Sequence, residues 1–226
     1  GEGFFIILEN PKHIIYRIPG MGADKRLFSG IESINGYEFV DLEWQPFPTI
    51  KTLKDYAVEI AKQIDTSKPF SLLGVSMGGM ICSELADLLT PEKVVIISSA
   101  KTSKELPAQL NHLKFMSVTG MLNTGVIRYI LSNSSHFFGE MNKNQRKLFY
   151  EMVESIPINF IVWSIKAILN WDKATADSKI IHIHGDNDFV IPSYNLTPTV
   201  TIEKGDHMMV WNKAEIINQL LQEIFR

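Results

Sequence analysis

Residues 70–89 limit the possible folds of this chain more than any other stretch. They begin with an apolar run over residues 70–75, pass through Gly-Val-Ser-Met-Gly at residues 74–78, and continue with apolar residues at helical spacing up to Pro91. A run that is apolar at nearly every position is typical of a strand buried on both faces of a sheet. The stretch therefore predicts a buried strand, a sharp turn at Ser76 and a helix that packs back onto the sheet.

The same alternation of short apolar runs and helical patterns extends along the chain. Strands are predicted over residues 4–8, 13–18, 37–42, 70–75, 94–98, 180–184 and 199–202. Apolar stripes of helical period begin at Leu53, Met77 and Ile216. Strands that alternate with helices indicate an α/β fold, with a mainly parallel sheet and helices on both faces. No internal repeat or linker divides the sequence, so we expect a single domain over residues 1–226.

Residues 101–179, called the insertion segment below, interrupt this alternation. A crossover between parallel strands needs only about a dozen residues, and this segment is far longer. Apolar residues recur at helical spacing within residues 148–156 and again within residues 160–168. We predict a helical lid over one end of the sheet, with a set of core-packing helices as the alternative. Its large apolar residues predict an apolar pocket, although core packing explains them equally well. They are Met116, Met121, Phe137, Phe138, Phe160 and Trp163.

Composition excludes several functional classes. Charged residues make up 21% of the chain, the net charge is −3, and no charge run stands out, which argues against nucleic acid or an anionic membrane as partner. The longest uncharged stretch, residues 69–83, is shorter than the ~20 residues that a membrane-spanning helix needs. A single cysteine, Cys82, rules out an internal disulfide and favours a cytoplasmic protein. The chain begins with Gly1 rather than methionine, so a signal peptide removed upstream stays an alternative.

Ser76 is the candidate nucleophile. A sharp reversal between strand and helix places the central serine in a strained conformation, and glycines two residues to either side remove side chains that would collide there. The hydroxyl is then exposed at the sheet edge, next to a helix N-terminus that favours a developing anion. The alternative interpretation is a glycine-rich turn with a serine facing solvent.

A serine hydroxyl needs a base, and the sequence offers six histidines. They are His13, His112, His136, His182, His184 and His207. His207 lies in a polar loop between the last strand and the C-terminal helix, which a parallel sheet places at the same edge as Ser76. His13 begins a strand at the opposite edge, whereas His182 and His184 alternate with isoleucines inside a strand and are predicted core residues. The two histidines of the insertion segment stay open as alternatives.

The base in turn needs a carboxylate to orient it. Asp186 and Asp188 both follow the strand predicted over residues 180–184, at the required edge. Asp206 is a poor partner, because the side chains of neighbouring residues in an extended loop diverge.

His-x-His-x-Asp over residues 182–186 begins like a metal motif, but Asn187 stands where a further ligand would be needed. Asp-Asn-Asp over residues 186–188 lacks the glycine and the distal glutamate of a calcium loop. We therefore expect no metal.

Taken together, these motifs resemble the α/β-hydrolase superfamily over nearly the whole chain. The resemblance rests on Pro-Gly-Met-Gly at residues 19–22 after an early strand, on G-x-S-x-G around Ser76, on H-G-x-x-D at residues 184–188, and on His207 before the final helix. The order Ser, Asp, His along the chain is that of the superfamily. It implies the α/β-hydrolase fold, with the insertion segment as a helical lid.

The resemblance also implies individual roles. Asp188, at the end of the H-G-x-x-D pattern, is the expected acid, with Asp186 as the alternative. The backbone N–H groups of Met21 and Met77 are expected to form the oxyanion hole. Many relatives carry His-Gly where this chain has Pro19 and Gly20, so a side chain that usually supports this loop is missing here.

The sequence thus predicts an esterase-like serine hydrolase without a cofactor, acting on a small ester or thioester through Ser76, His207 and Asp188 and an acyl-enzyme. Two alternatives stay open. The same three residues could act on a C–C, amide or other non-ester bond, since a fold does not fix a substrate. The chain could also be a ligand-binding protein without catalysis. A small-molecule substrate is the expected partner, and the sequence leaves the oligomeric state open.

Overall fold

The computed structural model describes residues 13–45, 49–108, 110, 112, 114, 123–133 and 135–226. Across these residues, six parallel strands form one sheet in the order β2-β1-β3-β4-β5-β6. The strands are β1 (His13–Ile18), β2 (Tyr37–Asp41), β3 (Phe70–Val75), β4 (Val94–Ile97), β5 (Ile181–Gly185) and β6 (Val200–Ile202). Each matches a predicted strand to within one residue at either end. The strand predicted over residues 4–8 lies outside the described part of the chain.

Helices cover both faces of the sheet, and the predicted fold class is confirmed. In the described residues they are α1 (Leu53–Ala61), α2 (Met77–Leu88), α3 (Thr124–Asn133), α4 (Ser135–Phe138), α5 (Lys143–Ser155), α6 (Ile158–Leu169), α7 (Met209–Asn212) and α8 (Ala214–Ile224). Successive side chains of a strand point to opposite faces, so Leu72 packs in a core with α1 and α2, while Leu73 packs in a second core with α7 and α8. Both leucines are fully buried, as predicted for β3.

The parallel arrangement brings four loops to one edge of the sheet, because the carboxyl ends of all strands meet there. β1 leads into the glycine loop, defined as Gly20, Met21 and Gly22, and β3 leads into Ser76. β5 leads into the loop that contains Asp188, and β6 leads into the loop that contains His207. Residues that are far apart in sequence therefore converge at this edge.

The insertion segment contains α3 to α6 between β4 and β5, as the helical periodicity predicts. These helices share a small apolar cluster formed by Ile127 and Leu131 of α3 with Ile161 and Leu169 of α6. That the segment acts as a lid stays a prediction. None of the helices in the described ranges is by itself long and apolar enough to cross a membrane; α5 and α6 pass that test only as a pair, and they meet at a bend of 93°.

Candidate active site

Ser76 occupies a strained turn between β3 and α2. Its backbone has φ 53° and ψ −122°, in a region that residues with a side chain rarely adopt. The two flanking glycines make this turn possible by close approach. A Cβ on Gly78 would lie 2.1 Å from the carbonyl oxygen of Ile18, and one on Gly74 would lie 2.4 Å from the carbonyl oxygen of Gly78. Any larger residue would push the start of α2 away from β1 or β3.

The backbone of Ser76 is also tied to β4 and the residues that follow it. The Ser76 amide donates to the carbonyl oxygen of Ile97 at 3.0 Å, and the hydroxyl of Ser99 donates to the carbonyl oxygen of Ser76 at 2.7 Å. These two hydrogen bonds fix the peptide groups on both sides of the serine. Its hydroxyl is thereby held at the carboxyl edge of the sheet.

His207 lies against this hydroxyl. Its Nε2 is 3.0 Å from Oγ of Ser76, and its ring is almost fully buried. The loop is held by Asp206, whose carboxylate accepts hydrogen bonds from the amide of Met208 and the side chain of Asn212. Asp206 therefore shapes the loop and does not contact the imidazole, in agreement with the sequence analysis.

Asp188 completes the chain of hydrogen bonds. Its Oδ2 accepts from Nδ1 of His207 at 2.8 Å, and its Oδ1 accepts from the amides of Val190 and Ile191 at 2.8 and 2.9 Å. Burial of the Asp188 carboxyl raises its pKa, but the charge and hydrogen bond of His207 and the Ile191 amide outweigh burial, so the pKa is lowered overall. An ionised Asp188 requires the Nδ1–H tautomer of His207, which leaves Nε2 free to accept the Ser76 proton.

Asp186, the alternative acid, is placed elsewhere. It is exposed, and its Oδ1 accepts a hydrogen bond from the amide of Lys204 at 2.6 Å. This contact joins the β5 loop to the β6 loop. The structure therefore brings Asp188, and not Asp186, to the imidazole.

His182 and His184 form a buried pair behind Asp188. Nε2 of His184 donates to the carbonyl oxygen of Ile191 at 2.8 Å and lies 3.6 Å from Oδ2 of Asp188. Nε2 of His182 donates to Nδ1 of His184 at 3.1 Å. Burial lowers the pKa of both imidazoles, that of His182 to about 3. Both rings are thus neutral core groups, as predicted, and they brace the Asp188 loop.

The glycine loop lies beside the serine. A Cβ on Gly20 would be 3.3 Å from Cβ of Ser76, so the backbone of Gly20 lies close to the serine side chain. Gly22 has φ 73°, and the amide of Ala23 donates to the carbonyl oxygen of Gly20 at 3.1 Å, which closes a tight turn. Neither the Met21 amide nor the Met77 amide donates to any described residue. Within the described residues, both N–H groups therefore lack a hydrogen-bond acceptor.

An apolar cavity of about 430 Å³ opens above Ser76 and His207. Roughly half of its lining residues come from the insertion segment, and the rest come from the glycine loop and the residues that follow it, from β3 and α2 around Ser76, and from the β5 and β6 loops. Ser76 and His207 supply the only polar side chains among the described residues that line it. Phe137 and Phe189 stand at the cavity with 58% and 69% of their surface exposed. The cavity suits an apolar group attached to the atom that Ser76 contacts.

The pocket prediction was partly wrong. Phe137 and Phe138 line the cavity, but Phe160 and Trp163 do not. Those two rings stack on each other at 5.4 Å between centroids and pack against Tyr56 of α1, so they belong to the core. Helical spacing shows that a residue faces inward, but it does not distinguish a core from a cavity wall. Met116 and Met121 lie outside the described residues.

Comparisons with solved structures give the same fold. An esterase from Exiguobacterium antarcticum is 16% identical with a TM-score of 0.71, and the alignment covers 94% of this chain and 91% of that one. A lipase-esterase related protein from Clostridium acetobutylicum is 16% identical with a TM-score of 0.69, and 95% of each chain is covered. MenH from S. aureus is 12% identical with a TM-score of 0.67, covering 94% of this chain and 92% of that one.

A family model described as Thioesterase domain matches residues 34–139, a span that includes β3, Ser76 and α2. The chain has the α/β-hydrolase fold. The predicted superfamily is thereby confirmed, and the matches agree with an esterase-like hydrolase. No curated protein sequence matches the hydrolase.

One contact of the hydrolase was not predicted from the sequence. The indole N–H of Trp44, in the loop after β2, donates to carbonyl oxygens of the turn that contains the glycine loop. A tryptophan in a loop carries no motif, so only its position could have indicated this contact.

Within the described residues, no group of three or more His, Cys, Asp or Glu side chains is arranged to hold a metal ion.

Proposed function

We propose that the hydrolase cleaves esters or thioesters of apolar acyl groups through an acyl-enzyme on Ser76. The proposal rests on one observation: Ser76, His207 and Asp188 are hydrogen-bonded in series at the base of an apolar cavity. Oγ of Ser76 lies 3.0 Å from Nε2 of His207, and Nδ1 of His207 lies 2.8 Å from Oδ2 of Asp188. A hydroxyl, an imidazole and a buried carboxylate in this order form a nucleophile, its base and the group that orients the base. The match to a thioesterase domain and the fold shared with esterases support the same reaction.

The first half of the reaction acylates Ser76. His207 Nε2 takes the hydroxyl proton while Oγ attacks the carbonyl carbon, and the carbonyl oxygen becomes negative. The N–H groups of Met21 and Met77 donate to this oxygen. The tetrahedral intermediate then collapses, His207 gives its proton to the leaving oxygen or sulfur, and an alcohol or thiol departs.

The second half releases the acid. A water molecule gives a proton to His207 and attacks the acyl carbon, and the same two amides stabilise the second oxyanion. Collapse of this intermediate breaks the bond to Oγ, which recovers its proton from His207. Asp188 stays ionised throughout and stabilises the imidazolium that forms in both halves.

The cavity defines the acyl group. The described lining residues include no charged side chain that could pair with a substrate carboxylate, ammonium or phosphate within the cavity. A buried charge without a partner is strongly disfavoured, so the acyl group should be uncharged and mainly hydrocarbon. The charged or polar part of a substrate, such as a thiol carrier, would have to stay outside the cavity.

Turnover of nitrophenyl esters and acyl thioesters, combined with labelling by a fluorophosphonate probe, tests the proposal. Ser76→Ala should lose labelling and turnover while its thermal unfolding temperature stays close to that of the wild type. Ser67→Ala is the control, because Ser67 is an exposed serine in the loop before β3, at the opposite edge of the sheet. Full turnover by Ser76→Ala would reject the proposal.

The same experiment separates the alternatives. Labelling of Ser76 without turnover of any ester or thioester would indicate that the site acts on another bond, such as an amide or C–C bond. A wild-type protein that is neither labelled nor active would indicate a ligand-binding protein.

A further inference from the structure

We propose that Trp44 is the positioning residue of the oxyanion hole, because its indole N–H fixes the orientation of the peptide group between Gly20 and Met21. The inference rests on the proposed function, since it concerns how one of the two oxyanion donors is aimed. It assigns a role to a loop residue that lies 24 positions away from the glycine loop along the chain.

The contacts are specific. Nε1 of Trp44 lies 3.3 Å from the carbonyl oxygen of Gly20 and 3.1 Å from that of Ala23. The Gly20 oxygen also accepts the Ala23 amide at 3.1 Å. Two donors therefore hold this one carbonyl oxygen, and the indole joins both ends of the turn.

Peptide geometry converts this contact into an orientation of the Met21 amide. The carbonyl of Gly20 and the N–H of Met21 belong to one planar peptide unit, and in a trans peptide they point in opposite directions. The described residues contain no cis peptide bond. With its carbonyl end held by Trp44, the unit must present the Met21 N–H on the side away from the indole. A Cβ on Gly20 would lie 3.3 Å from Cβ and 3.9 Å from Oγ of Ser76, so the peptide unit that Trp44 holds lies beside the serine, where an oxyanion donor is needed.

The loop needs such a restraint. Gly20 and Gly22 lack side chains, and Gly22 already has a positive φ, so the peptide units between them can rotate at little steric cost. A half-turn of the Gly20–Met21 unit would replace the N–H by a carbonyl oxygen. A carbonyl dipole aimed at the developing oxyanion would repel it, whereas the N–H stabilises it. The indole of Trp44 supplies this restraint from outside the loop.

Trp44 is itself held in place. Its ring packs against Tyr56 and Phe160, with 5.8 Å between centroids in both cases. The hydroxyl of Tyr56 donates to the carbonyl oxygen of Gln45 and accepts from its amide, each at 2.9 Å. These hydrogen bonds fix the loop after β2 to α1. The indole of Trp44 is therefore held in place when it donates to the glycine loop.

Trp44→Phe tests the inference, with Trp163→Phe as a matched control. Trp163 packs on the same Tyr56 and Phe160 rings and also donates its indole N–H to a backbone carbonyl, that of Ile50 at 2.6 Å. It does not line the cavity. The two variants therefore remove the same kind of group from the same aromatic cluster, and only Trp44→Phe releases the glycine loop.

The measurements are kcat and KM for an ester that the wild type hydrolyses in a Ser76-dependent manner, and the Kd of an aryl boronic acid that forms a tetrahedral adduct on Ser76. Loss of one oxyanion donor costs roughly 100-fold to 1,000-fold in kcat, so a misaimed donor should cost roughly 10-fold to 100-fold. KM should change little, and boronate affinity should fall by the same factor as kcat/KM. Trp163→Phe should keep the wild-type kcat.

The outcomes are distinct. Equal kcat and boronate affinity in Trp44→Phe and the wild type would overturn the inference and leave the proposed function intact. Absence of Ser76-dependent turnover in the wild type would overturn both. If Trp44→Phe does not fold, benzothienylalanine at position 44 keeps the shape of the indole and lacks only its N–H, and the same loss of kcat with unchanged KM is expected.

Discussion

Asp188 holds His207 with one carboxylate oxygen and the backbone of its own loop with the other. Oδ2 accepts from Nδ1 of the imidazole at 2.8 Å, and Oδ1 accepts from the amides of Val190 and Ile191. Three donors around a buried carboxylate keep it ionised and orient its second oxygen. The loop conformation and the imidazole tautomer are therefore set by the same side chain.

Asp188→Asn should lower kcat by roughly 10³-fold to 10⁴-fold, because an amide that donates to Nδ1 would force the tautomer that cannot accept the Ser76 proton. Asp186→Asn is the matched control. That side chain is exposed and bonds only the Lys204 amide among its described contacts, so kcat should stay within a few-fold of the wild type. Ester turnover by the purified variants measures both. A large loss in Asp186→Asn with little loss in Asp188→Asn would reverse the assignment.

Gly78→Ala should both destabilise the protein and reduce turnover. The new Cβ would lie 2.1 Å from the carbonyl oxygen of Ile18, so α2 must shift away from β1 and carry Ser76 with it. Gly36→Ala is the comparison, because its Cβ would meet no atom within 4 Å and only its φ of 82° is unfavourable. That change should cost about 1–2 kcal/mol of unfolding free energy and leave kcat unchanged.

Denaturant unfolding and ester turnover measure both glycine variants. A Gly78→Ala protein with wild-type kcat would show that the strained turn tolerates a shifted helix, in conflict with the fixed position of the serine.

Much of the fold could be predicted because its signals are local. The run over residues 70–75 is apolar enough to identify β3, and the alternation of strands with helices sets a parallel sheet whose carboxyl ends share one edge. The loops that contain Ser76 and His207 both follow strands of this sheet, so they lie at that edge regardless of how the surrounding helices pack. The position of these two residues follows from topology and does not depend on side-chain detail.

Other features depend on side-chain direction and could not be predicted. Asp186 and Asp188 are two residues apart in one loop, so their positions alone left both open, and the expectation of Asp188 rested on the family resemblance. Trp163 has the spacing of an inward-facing residue, but its neighbours on α1 place it in the core. The contact of Trp44 with Gly20 joins two loops that have no motif in common.

His182 should make the stability of the hydrolase sensitive to mild acid. Burial lowers its pKa from 6.5 to about 3, so between these pH values the unfolded chain binds a proton that the folded protein excludes. His182 causes no proton-linked loss of stability above pH 6.5, and the unfolding free energy falls by up to about 1.4 kcal/mol per pH unit as the pH drops from there towards the lowered pKa. His182→Gln should therefore show a smaller loss than the wild type.

Denaturant unfolding at several pH values from neutral to mildly acidic measures this difference in slope. His136→Gln is the control, because His136 is exposed, and it should follow the wild type. Identical slopes for His182→Gln and the wild type would mean that His182 takes up its proton in the folded protein.

Leu131→Trp should shorten the acyl group that the hydrolase accepts. Leu131 is buried on α3 and lines the cavity, so a larger ring there would occupy space that a long acyl chain needs and an acetyl group does not. The ratio of kcat/KM for an octanoyl ester to that for an acetyl ester should fall by roughly tenfold or more, since each excluded methylene is worth roughly 1–3 kcal/mol.

Tyr129→Trp is the control on the same helix, where 72% of the side chain is exposed, and its ratio should match the wild type. Overpacking by about 1–3 kcal/mol is expected in Leu131→Trp, so thermal unfolding is measured alongside turnover. An unchanged ratio in a folded Leu131→Trp protein would show that the acyl chain binds outside this cavity.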